Sequence, residues 1–209
     1  NVAIIGETGS GKTSLAKLFM EFYSPDKGHI YVDGAELQNF EVQEIRKAVV
    51  YVSQEDFLFT ASVRENLKMG NEEISDEEMI EISRKMGVHQ FVSKMEREYD
   101  SVLEERGKNL SKGQRQKLSL TRAILRHPKI LILDEATSNM DSISEREILN
   151  YIKGIRDITL ILISHRINVI ADSDCIYVLQ KGNIVARGTD KQLKEQCKLY
   201  RQLYGEEEK

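Results

Sequence analysis

The segment with the clearest chemistry runs from Gly6 to Thr13 and reads Gly-Glu-Thr-Gly-Ser-Gly-Lys-Thr. It matches the pattern G-x-x-x-x-G-K-[ST], in which small residues let successive backbone N–H groups point at phosphate oxygens. In such a loop the lysine, here Lys12, brings positive charge to the outer phosphates, and the hydroxyl of Thr13 is a Mg²⁺ ligand. The predicted nucleotide-binding residues are Gly6, Glu7, Thr8, Gly9, Ser10, Gly11, Lys12, Thr13 and Ser14.

The residues around this loop predict the elements that must hold it. Residues 1–5 form an apolar run that ends at a glycine, and residues 14–20 have the apolar spacing of a helix. The loop would then join a strand to a helix N-terminus, where free N–H groups and the helix dipole favour a bound anion. The alternative is a chance glycine-rich turn, but strand, loop, lysine, threonine and helix all occur together.

A pair of carboxylates follows a second apolar run, at 130–133. Parallel sheets bind ligands at the carboxyl edge of their strands, so Asp134 can hold Mg²⁺ directly or through water. Glu135 is then the candidate general base, which would orient and deprotonate an attacking water. Alternatively, Asp134 and Glu135 only cap the next helix. The phosphate loop favours the metal role, because its Mg²⁺ needs a second protein ligand.

The composition of the 209 residues, with a formal charge of −4 and 40% hydrophobic residues, indicates one globular domain. No apolar stretch reaches the length of a membrane-spanning helix, so membrane work would fall to another segment or chain. Cys175 and Cys197 have neither metal-ligand spacing nor a disulfide framework, which fits a reducing, cytosolic setting. The charge gives no basic footprint for nucleic acid. Because Asn1 already lies on a strand, we expect a fragment of a longer polypeptide.

The pattern of elements predicts an α/β fold: a P-loop NTPase core with a mainly parallel sheet, an inserted helical subdomain and small β-hairpin elements. We treat residues 1–209 as one domain, with the helical subdomain at about 71–127. The predicted strands are 1–5, 49–53, 129–134 and 159–164, with hairpins around the turns at 33–34 and 181–183. The predicted helices lie within 14–20, 75–95, 111–126, 144–155 and 190–204.

Several segments occur in a familiar order and spacing. They are Gly6–Thr13, Gln54, Leu110–Gln114, Asp134–Glu135, Ser138–Asp141 and His165. Their order and approximate spacing resemble those of the nucleotide-binding domain of ATP-binding cassette (ABC) transporters, and the resemblance covers essentially the whole chain. There they are the Walker A loop, the Q-loop, the signature, the Walker B motif with its catalytic glutamate, the D-loop and the H-loop. Residues 57–67 and the Glu-Arg-Gly sequence at 105–107 resemble the exporter branch of the family.

The resemblance implies that two such domains pack head to tail, with ATP between the phosphate loop of one and the signature of the other. The hydroxyl of Ser111 can bind the γ-phosphate, Gly113 allows close backbone approach, and the following helix directs its positive end at the anion. In isolation, a serine-capped helix without a ligand is the alternative interpretation. The signature residues implied to contact the partner-site ATP are Leu110, Ser111, Lys112, Gly113 and Gln114.

Three further residues receive roles from the resemblance. His165 would contact the γ-phosphate, and Gln54 would sense Mg²⁺ or water at the end of its strand. The predicted catalytic residues are Glu135, His165, Gln54 and Lys12. Asp141 would link the two ATP sites, whereas by itself it would compensate charge at a helix N-terminus. The predicted metal ligands are Thr13, Gln54 and Asp134.

Two positions depart from the common family sequence. Lys112 stands where the signature usually has glycine, and the D-loop reads Ser-Asn-Met-Asp in place of the more usual Ser-Ala-Leu-Asp. In addition, the aromatic residue that stacks on adenine in this family would lie before Asn1, so base recognition is not assigned to any residue of this chain.

The sequence therefore predicts an ATPase that uses ATP and Mg²⁺ to drive substrate export. We expect it at the cytosolic face of a membrane, the bacterial inner membrane. Its expected partners are a second nucleotide-binding domain, in a homodimer or a heterodimer, and transmembrane domains fused upstream, with no nucleic acid. Two alternatives stay open: a non-transport ABC ATPase linked to DNA or ribosomes, and a cassette that binds ATP without turnover, which only Lys112 favours.

Overall fold

Strands and helices alternate along most of the chain. The structure, a computed structural model, describes residues 1–54 and 57–207, and none of the helices in this part is both long and apolar enough to cross a bilayer. The strands are β1 (Val2–Gly6), β2 (Tyr31–Val32), β3 (Ala35–Glu36), β4 (Val49–Ser53), β5 (Ile130–Asp134), β6 (Thr159–Ile163), β7 (Cys175–Gln180) and β8 (Asn183–Gly188). The helices are α1 (Lys12–Phe19), α2 (Val42–Ala48), α3 (Val63–Lys68), α4 (Asp76–Lys85), α5 (His89–Val92), α6 (Lys112–Leu125), α7 (Ser142–Lys153), α8 (Ile167–Ile170), α9 (Asp190–Gln196) and α10 (Lys198–Glu207).

Six strands form one sheet in the order β4-β5-β6-β1-β7-β8, and β2 and β3 pair separately as an antiparallel hairpin. The pairs β5·β6, β6·β1 and β1·β7 are parallel, whereas β8 runs antiparallel to β7. The central strands β1 and β5 are almost entirely buried, as near-continuous apolar runs in a parallel sheet should be. The predicted α/β fold class is therefore confirmed.

The order of the parallel strands brings three segments to one edge of the sheet. β5, β6 and β1 are neighbours that point the same way, so the residues that follow them meet at a shared carboxyl edge. These residues are the phosphate loop after β1, Asp134 with Glu135 at the end of β5, and His165 after β6.

The chain divides into two compact units. The first contains residues 1–51, 129–135 and the chain from 159 onward, and the second contains residues 52–128 and 136–158. In the first unit, one cluster of buried residues packs α1 and α2 with the strands. Its members are Ile4, Ala16, Leu37, Ile45, Val49, Ile132, Ile163 and Leu179.

Four helices of the second unit are fixed at their N-termini by side-chain caps. In each of four helices a hydroxyl or carboxylate accepts a hydrogen bond from a backbone N–H in the first turn. Met79 and Met86 are fully buried and therefore belong to the core of this helical region. The capping residues of α3, α4, α6 and α7 are, in order, Ser62, Ser75, Ser111 and Asp141.

The prediction of one continuous C-terminal helix at 190–204 is wrong. It is divided into α9 and α10 at Cys197, whose backbone is extended, with φ −112° and ψ 109°. The polar spacing of the sequence does not indicate this break between the two helices. Cys197 is buried at the corner between α9 and α10, and the hydroxyl of Tyr200 donates a hydrogen bond to Asp190 at 2.8 Å. Burial of this corner fixes the two short helices in place of one continuous helix.

Candidate nucleotide-binding and catalytic site

The phosphate loop leads from β1 directly into α1, as predicted. Gly6 leaves no room for a side chain, because a Cβ atom there would lie 2.3 Å from the carbonyl oxygen of Leu179. Gly11, the N-cap of α1, has a φ of 103°, which an L side chain rarely adopts. The N–H of Gly182 in the β7–β8 turn donates to the carbonyl of Ser10 at 3.0 Å. The loop backbone is therefore set by close contacts with the neighbouring strand and turn.

Lys12 is the buried cation of the loop. Its Nζ donates to the carbonyl oxygens of Gly6 at 2.6 Å and Glu7 at 3.0 Å. Burial lowers the pKa of Lys12, while the negative charges of Glu135 and Asp134 act in the opposite direction. The ammonium group thus lies within electrostatic reach of both carboxylates, at the loop where the sequence predicts phosphate.

Asp134 joins the loop to the sheet through two hydrogen bonds. Its Oδ2 atom accepts one from the hydroxyl of Thr13 at 2.7 Å and one from the hydroxyl of Tyr51 at 2.8 Å. The pKa of Tyr51 is raised by burial and by the hydrogen bond and charge of Asp134, so the phenol stays protonated and donates. Asp134 is itself buried. The predicted metal ligands Thr13 and Asp134 are therefore brought together.

Glu135 and His165 form a second pair at this edge. The Nδ1 atom of His165 lies 3.1 Å from Oε1 of Glu135. Glu135 has a φ of 53°, and its N–H donates to the carbonyl of Ile163 at 2.9 Å, so the chain turns sharply at the end of β5. This turn directs the second carboxylate away from the regular strand and next to the histidine. Two predicted catalytic residues that are 30 positions apart thus meet directly.

The donor atoms fit a Mg²⁺ ion that is held together with phosphate. Mg²⁺ requires oxygen ligands and usually takes one or two protein groups, several waters and substrate phosphates. Thr13 and Asp134 supply such oxygens, and residues 1–54 and 57–207 contain no group of three His, Cys, Asp or Glu side chains that could hold a metal alone. Ser10 Oγ is buried and has no hydrogen-bond partner in the same residues, so a phosphate oxygen would satisfy it.

The signature forms the start of α6 in the second unit. Ser111 Oγ accepts a hydrogen bond from the N–H of Gln114 at 3.2 Å, and Gln114 Oε1 accepts one from the N–H of Ser111 at 2.8 Å. Leu110 is buried and anchors the segment, whereas Ser111 and Lys112 are exposed. Because Ser111 Oγ acts as an acceptor in the cap, its hydroxyl hydrogen can be donated to a ligand.

Gly113 contacts the D-loop of its own unit. A Cβ atom at Gly113 would lie 3.1 Å from the carbonyl oxygen of Asn139. The N–H of Asn139 in turn donates to Oε1 of Gln116 at 3.0 Å, and Gln116 is fully buried. The sequence assigns Gly113 to close approach of a phosphate, and the structure adds a second reason for a glycine at this position.

Asp141 starts α7 at the end of the D-loop. Its Oδ1 atom accepts a hydrogen bond from the N–H of Ser144 at 2.9 Å, and the hydrogen bonds from Ser144 lower the pKa of Asp141. Lys117 on α6 donates to the hydroxyl of Ser144 at 2.9 Å. The cap that the sequence gives as the local role of Asp141 is present, and its link between two ATP sites stays a prediction.

Gln54 belongs to the second unit, where it lines an open groove of about 620 Å³. The metal and catalytic roles predicted for Gln54 stay predictions. The next two residues of the chain lie outside the described part. The other residues that line the groove are Phe57, Arg106, Lys108, Lys112, Arg115 and Asn139.

Three residues that form hydrogen bonds with the site segments are not predicted from the sequence. Tyr51, Gln116 and Gly182 are ordinary residue types for a strand, a helix and a turn. Tyr51 and Asp134 are 83 positions apart, and Gln116 and Asn139 are 23 positions apart. The local pattern contains no signal for such contacts, although the Lys-Gly-Asn sequence at 181–183 does predict the turn that carries Gly182.

Comparison with known proteins gives consistent results. The family model described as "ABC transporter" matches residues 1–138. The heterocyst differentiation ATP-binding protein HepA of Nostoc sp. is 43% identical over 93% of this chain. The lactococcin-G-processing and transport ATP-binding protein LagD of Lactococcus lactis is 40% identical over 97%, and the mitochondrial iron-sulfur clusters transporter ABCB7 of Danio rerio is 39% identical over 92%. The chain spans only 32%, 29% and 26% of these three proteins, respectively.

A solved structure agrees with the sequence relatives. A bacterial Atm1-family ABC exporter with ATP bound superimposes on this chain with a TM-score of 0.95 and 32% sequence identity. The superposition covers 100% of this chain and 37% of the exporter chain. The match extends over the phosphate loop, the signature, the two carboxylates and the histidine, whose geometry is given above. The chain therefore belongs to the ABC transporter family, and it is an ATP-binding ATPase domain of that family.

Proposed function

We propose that this chain is the motor domain of an ABC exporter, in which ATP binding and hydrolysis drive a substrate across a membrane. The observation that carries the proposal is the pair of contacts at one sheet edge, Thr13 with Asp134 and His165 with Glu135. Export as the coupled process is supported by the relatives, which include a transport ATP-binding protein and an Atm1-family exporter.

The phosphate loop and the first carboxylate would hold the nucleotide with its metal. The backbone N–H groups of 6–14 and the ammonium of Lys12 bind the phosphates of ATP. Thr13, Asp134 and Gln54 would hold Mg²⁺, which, when bound, neutralises phosphate charge. The contact between Thr13 and Asp134 supports the first two of these ligands.

Glu135 and His165 would carry the hydrolytic step. Glu135 accepts a proton from the attacking water, a role that contributes typically 10²–10⁴-fold in rate. His165 holds one oxygen of Glu135 at 3.1 Å, which leaves the other oxygen for the water, and it would also contact the γ-phosphate. In this assignment Lys12, Glu135, His165 and Gln54 form the catalytic set.

The second unit would serve the ATP of a partner domain. Ser111 and the N-terminus of α6 present a hydroxyl and N–H groups to the γ-phosphate, and Leu110–Gln114 form that contact. Asp141 would link the two sites. Either a homodimer or a heterodimer satisfies this arrangement. Residues 1–209 would act as one domain with a helical subdomain at about 71–127, attached to transmembrane domains upstream, at the cytosolic face of the bacterial inner membrane.

The test is the variant Glu135→Gln. It keeps the phosphate loop and metal ligands but removes the base, so ATP hydrolysis should fall by roughly 10²–10⁴-fold while ATP binding persists. The molar mass in solution, measured with and without ATP and Mg²⁺, should then shift from monomer to dimer only with ATP.

Glu77→Gln is the matched control, because Glu77 is an exposed carboxylate on α4. It should hydrolyse ATP at the rate of the unsubstituted protein. If Glu135→Gln hydrolyses ATP at that same rate, Glu135 is not the base. If Glu135→Gln binds ATP but stays monomeric, the homodimer is excluded and a different partner domain must complete the site.

A further inference from the structure

Tyr51 contacts the site but has no role in the assignment above. It is the third residue of β4, and its hydroxyl lies 2.8 Å from Oδ2 of Asp134. The same oxygen accepts the hydroxyl of Thr13 at 2.7 Å. We propose that Tyr51 is a positioning residue for Mg²⁺, and that its hydroxyl fixes the Asp134 carboxylate in the orientation that binds the ion. This inference rests on the proposed function.

The two hydrogen bonds restrict the carboxylate more than one could. The terminal torsion of an aspartate is broad, so a carboxylate held by one donor can still turn about its last bond. Donors from two elements, α1 and β4, meet on the same oxygen of Asp134. Within the described residues no donor contacts the other oxygen, Oδ1. That oxygen is therefore presented to a metal ion or to a water bound to it.

The ring of Tyr51 is itself held in place. It is partly buried and packs against the core cluster of the first unit, which includes Val49 and Ile132. A tyrosine has only two side-chain torsions, so packing of the ring determines where the hydroxyl lies. A partly buried hydroxyl also needs a partner, and Asp134 provides it.

Residues that hydrogen-bond to a metal ligand, without binding the metal themselves, have measurable effects on metal binding. Substitutions of groups that orient a metal ligand typically cost 10–100-fold in metal affinity or activity. The phenol hydroxyl of Tyr51 carries a hydrogen that it donates to Asp134, and phenylalanine has no group that could replace this donor. A purely structural tyrosine would instead influence folding and nucleotide binding whether or not a metal is present.

The experiment uses Tyr51→Phe, which keeps the ring and removes only the hydroxyl. Mn²⁺ serves as a paramagnetic probe, and its free concentration is followed by electron paramagnetic resonance in the presence of a non-hydrolysable ATP analogue. The Kd of Mn²⁺ should rise by about tenfold. The Kd of the analogue without metal should stay as in the unsubstituted protein.

Tyr177→Phe is the matched control. Tyr177 on β7 is also partly buried against the same cluster, and in the described part of the chain its hydroxyl has no hydrogen-bond partner. It should leave the Kd of Mn²⁺ unchanged. Equal Mn²⁺ affinity in Tyr51→Phe and the unsubstituted protein overturns the inference. So does an equal loss of metal-free nucleotide affinity, since that would be an effect on the loop or fold.

Failure of the proposed function would look different. In that case the unsubstituted protein would not bind Mn²⁺ together with the nucleotide analogue, and the inference would fall with it. If the unsubstituted protein binds both, and only the difference between it and Tyr51→Phe is missing, the metal site stands and the role of Tyr51 is wrong.

Discussion

The two units organise their functional residues in different ways. In the first unit the two carboxylates after β5 bind side chains: Thr13 and Tyr51 share an oxygen of Asp134, and His165 contacts Glu135. In the second unit the side chains of the signature and the D-loop bind the backbone at the starts of α6 and α7. Metal and proton chemistry requires fixed distances between polar groups, whereas anion recognition at a helix start requires an ordered backbone.

The two units also differ in the charged groups around their functional residues. The first unit places two carboxylates near one buried ammonium group. The described lining of the 620 Å³ groove in the second unit has basic side chains and no acidic ones. Of these, Arg115 donates to the carbonyl of Leu110 at 2.7 Å and so supports the signature from inside. Substitutions in the first unit should therefore affect chemistry most, and substitutions in the second should affect order and recognition.

The largest effect is expected from Asp134→Asn. An amide has no negative charge for Mg²⁺, and when its oxygen accepts the bonds from Thr13 and Tyr51, its NH₂ group replaces the oxygen that would face the ion. We expect ATP hydrolysis and Mn²⁺ affinity each to fall by at least ~100-fold. Steady-state kinetics and Mn²⁺ titration measure the two quantities.

Asp100→Asn is the control for that substitution. The carboxylate of Asp100 is also bonded, at 2.8 Å to Arg64, but it lies in the second unit. It should change neither quantity by more than about twofold, since exposed ion pairs contribute little. If Asp134→Asn retained the Mn²⁺ affinity of the unsubstituted protein, the distinction between the two units would lose its chemical basis.

A smaller effect is expected from Gln116→Leu in the second unit. Leucine matches the buried volume but removes the acceptor of the Asn139 N–H, at a cost of roughly 1–3 kcal/mol in the free energy of unfolding. The value should lie toward the lower end, because Nε2 of Gln116 is buried without a hydrogen-bond partner in the described residues and is removed as well. Urea denaturation measures the change.

Gln90→Leu provides the reference for this measurement, because Gln90 is exposed on α5 of the same unit. It should shift the urea midpoint little. Metal-free nucleotide binding by the first unit's phosphate loop should be unaffected by Gln116→Leu. A loss there as large as the loss of stability would mean that the D-loop contact is not a local feature of the second unit.

The sequence predicts the parts of the site that are encoded locally. The phosphate loop needs glycines and a Lys-Thr pair within eight residues, and the Asp134–Glu135 pair follows its own apolar strand. The parallel order of the strands then brings these segments to one edge, which is why general rules for α/β sheets suffice to place them.

The rest depends on contacts that no local pattern records. The bond from Tyr51 to Asp134 and the bond from Asn139 to Gln116 join distant segments. Likewise, burial of Cys197 divides a helix whose polar spacing looks continuous. In each case tertiary packing, and not residue type, decides the geometry, so single-sequence reasoning identifies the candidate site residues but not the residues that form hydrogen bonds with them.

The smallest predicted effect concerns the charge of the Asp141 cap. Hydrogen bonds from Ser144 lower the pKa of Asp141 in the folded protein. A carboxyl group whose pKa is lower in the folded protein than in the unfolded chain stabilises the fold at pH values above its unfolded pKa, which is about 3.9 for aspartate. This stabilisation is lost as the pH falls through the pKa of the folded protein. Asparagine caps a helix about as well but does not titrate.

The urea midpoint of the unsubstituted protein should therefore exceed that of Asp141→Asn at neutral pH, and the difference should shrink as the pH falls below about 4. Because Asp141 is exposed, screening keeps the difference small, and added salt should reduce it further. A difference that stays constant from neutral to acidic pH would show that the cap acts through hydrogen bonding alone. The second unit would then organise its helix starts without charge, which would sharpen its contrast with the first.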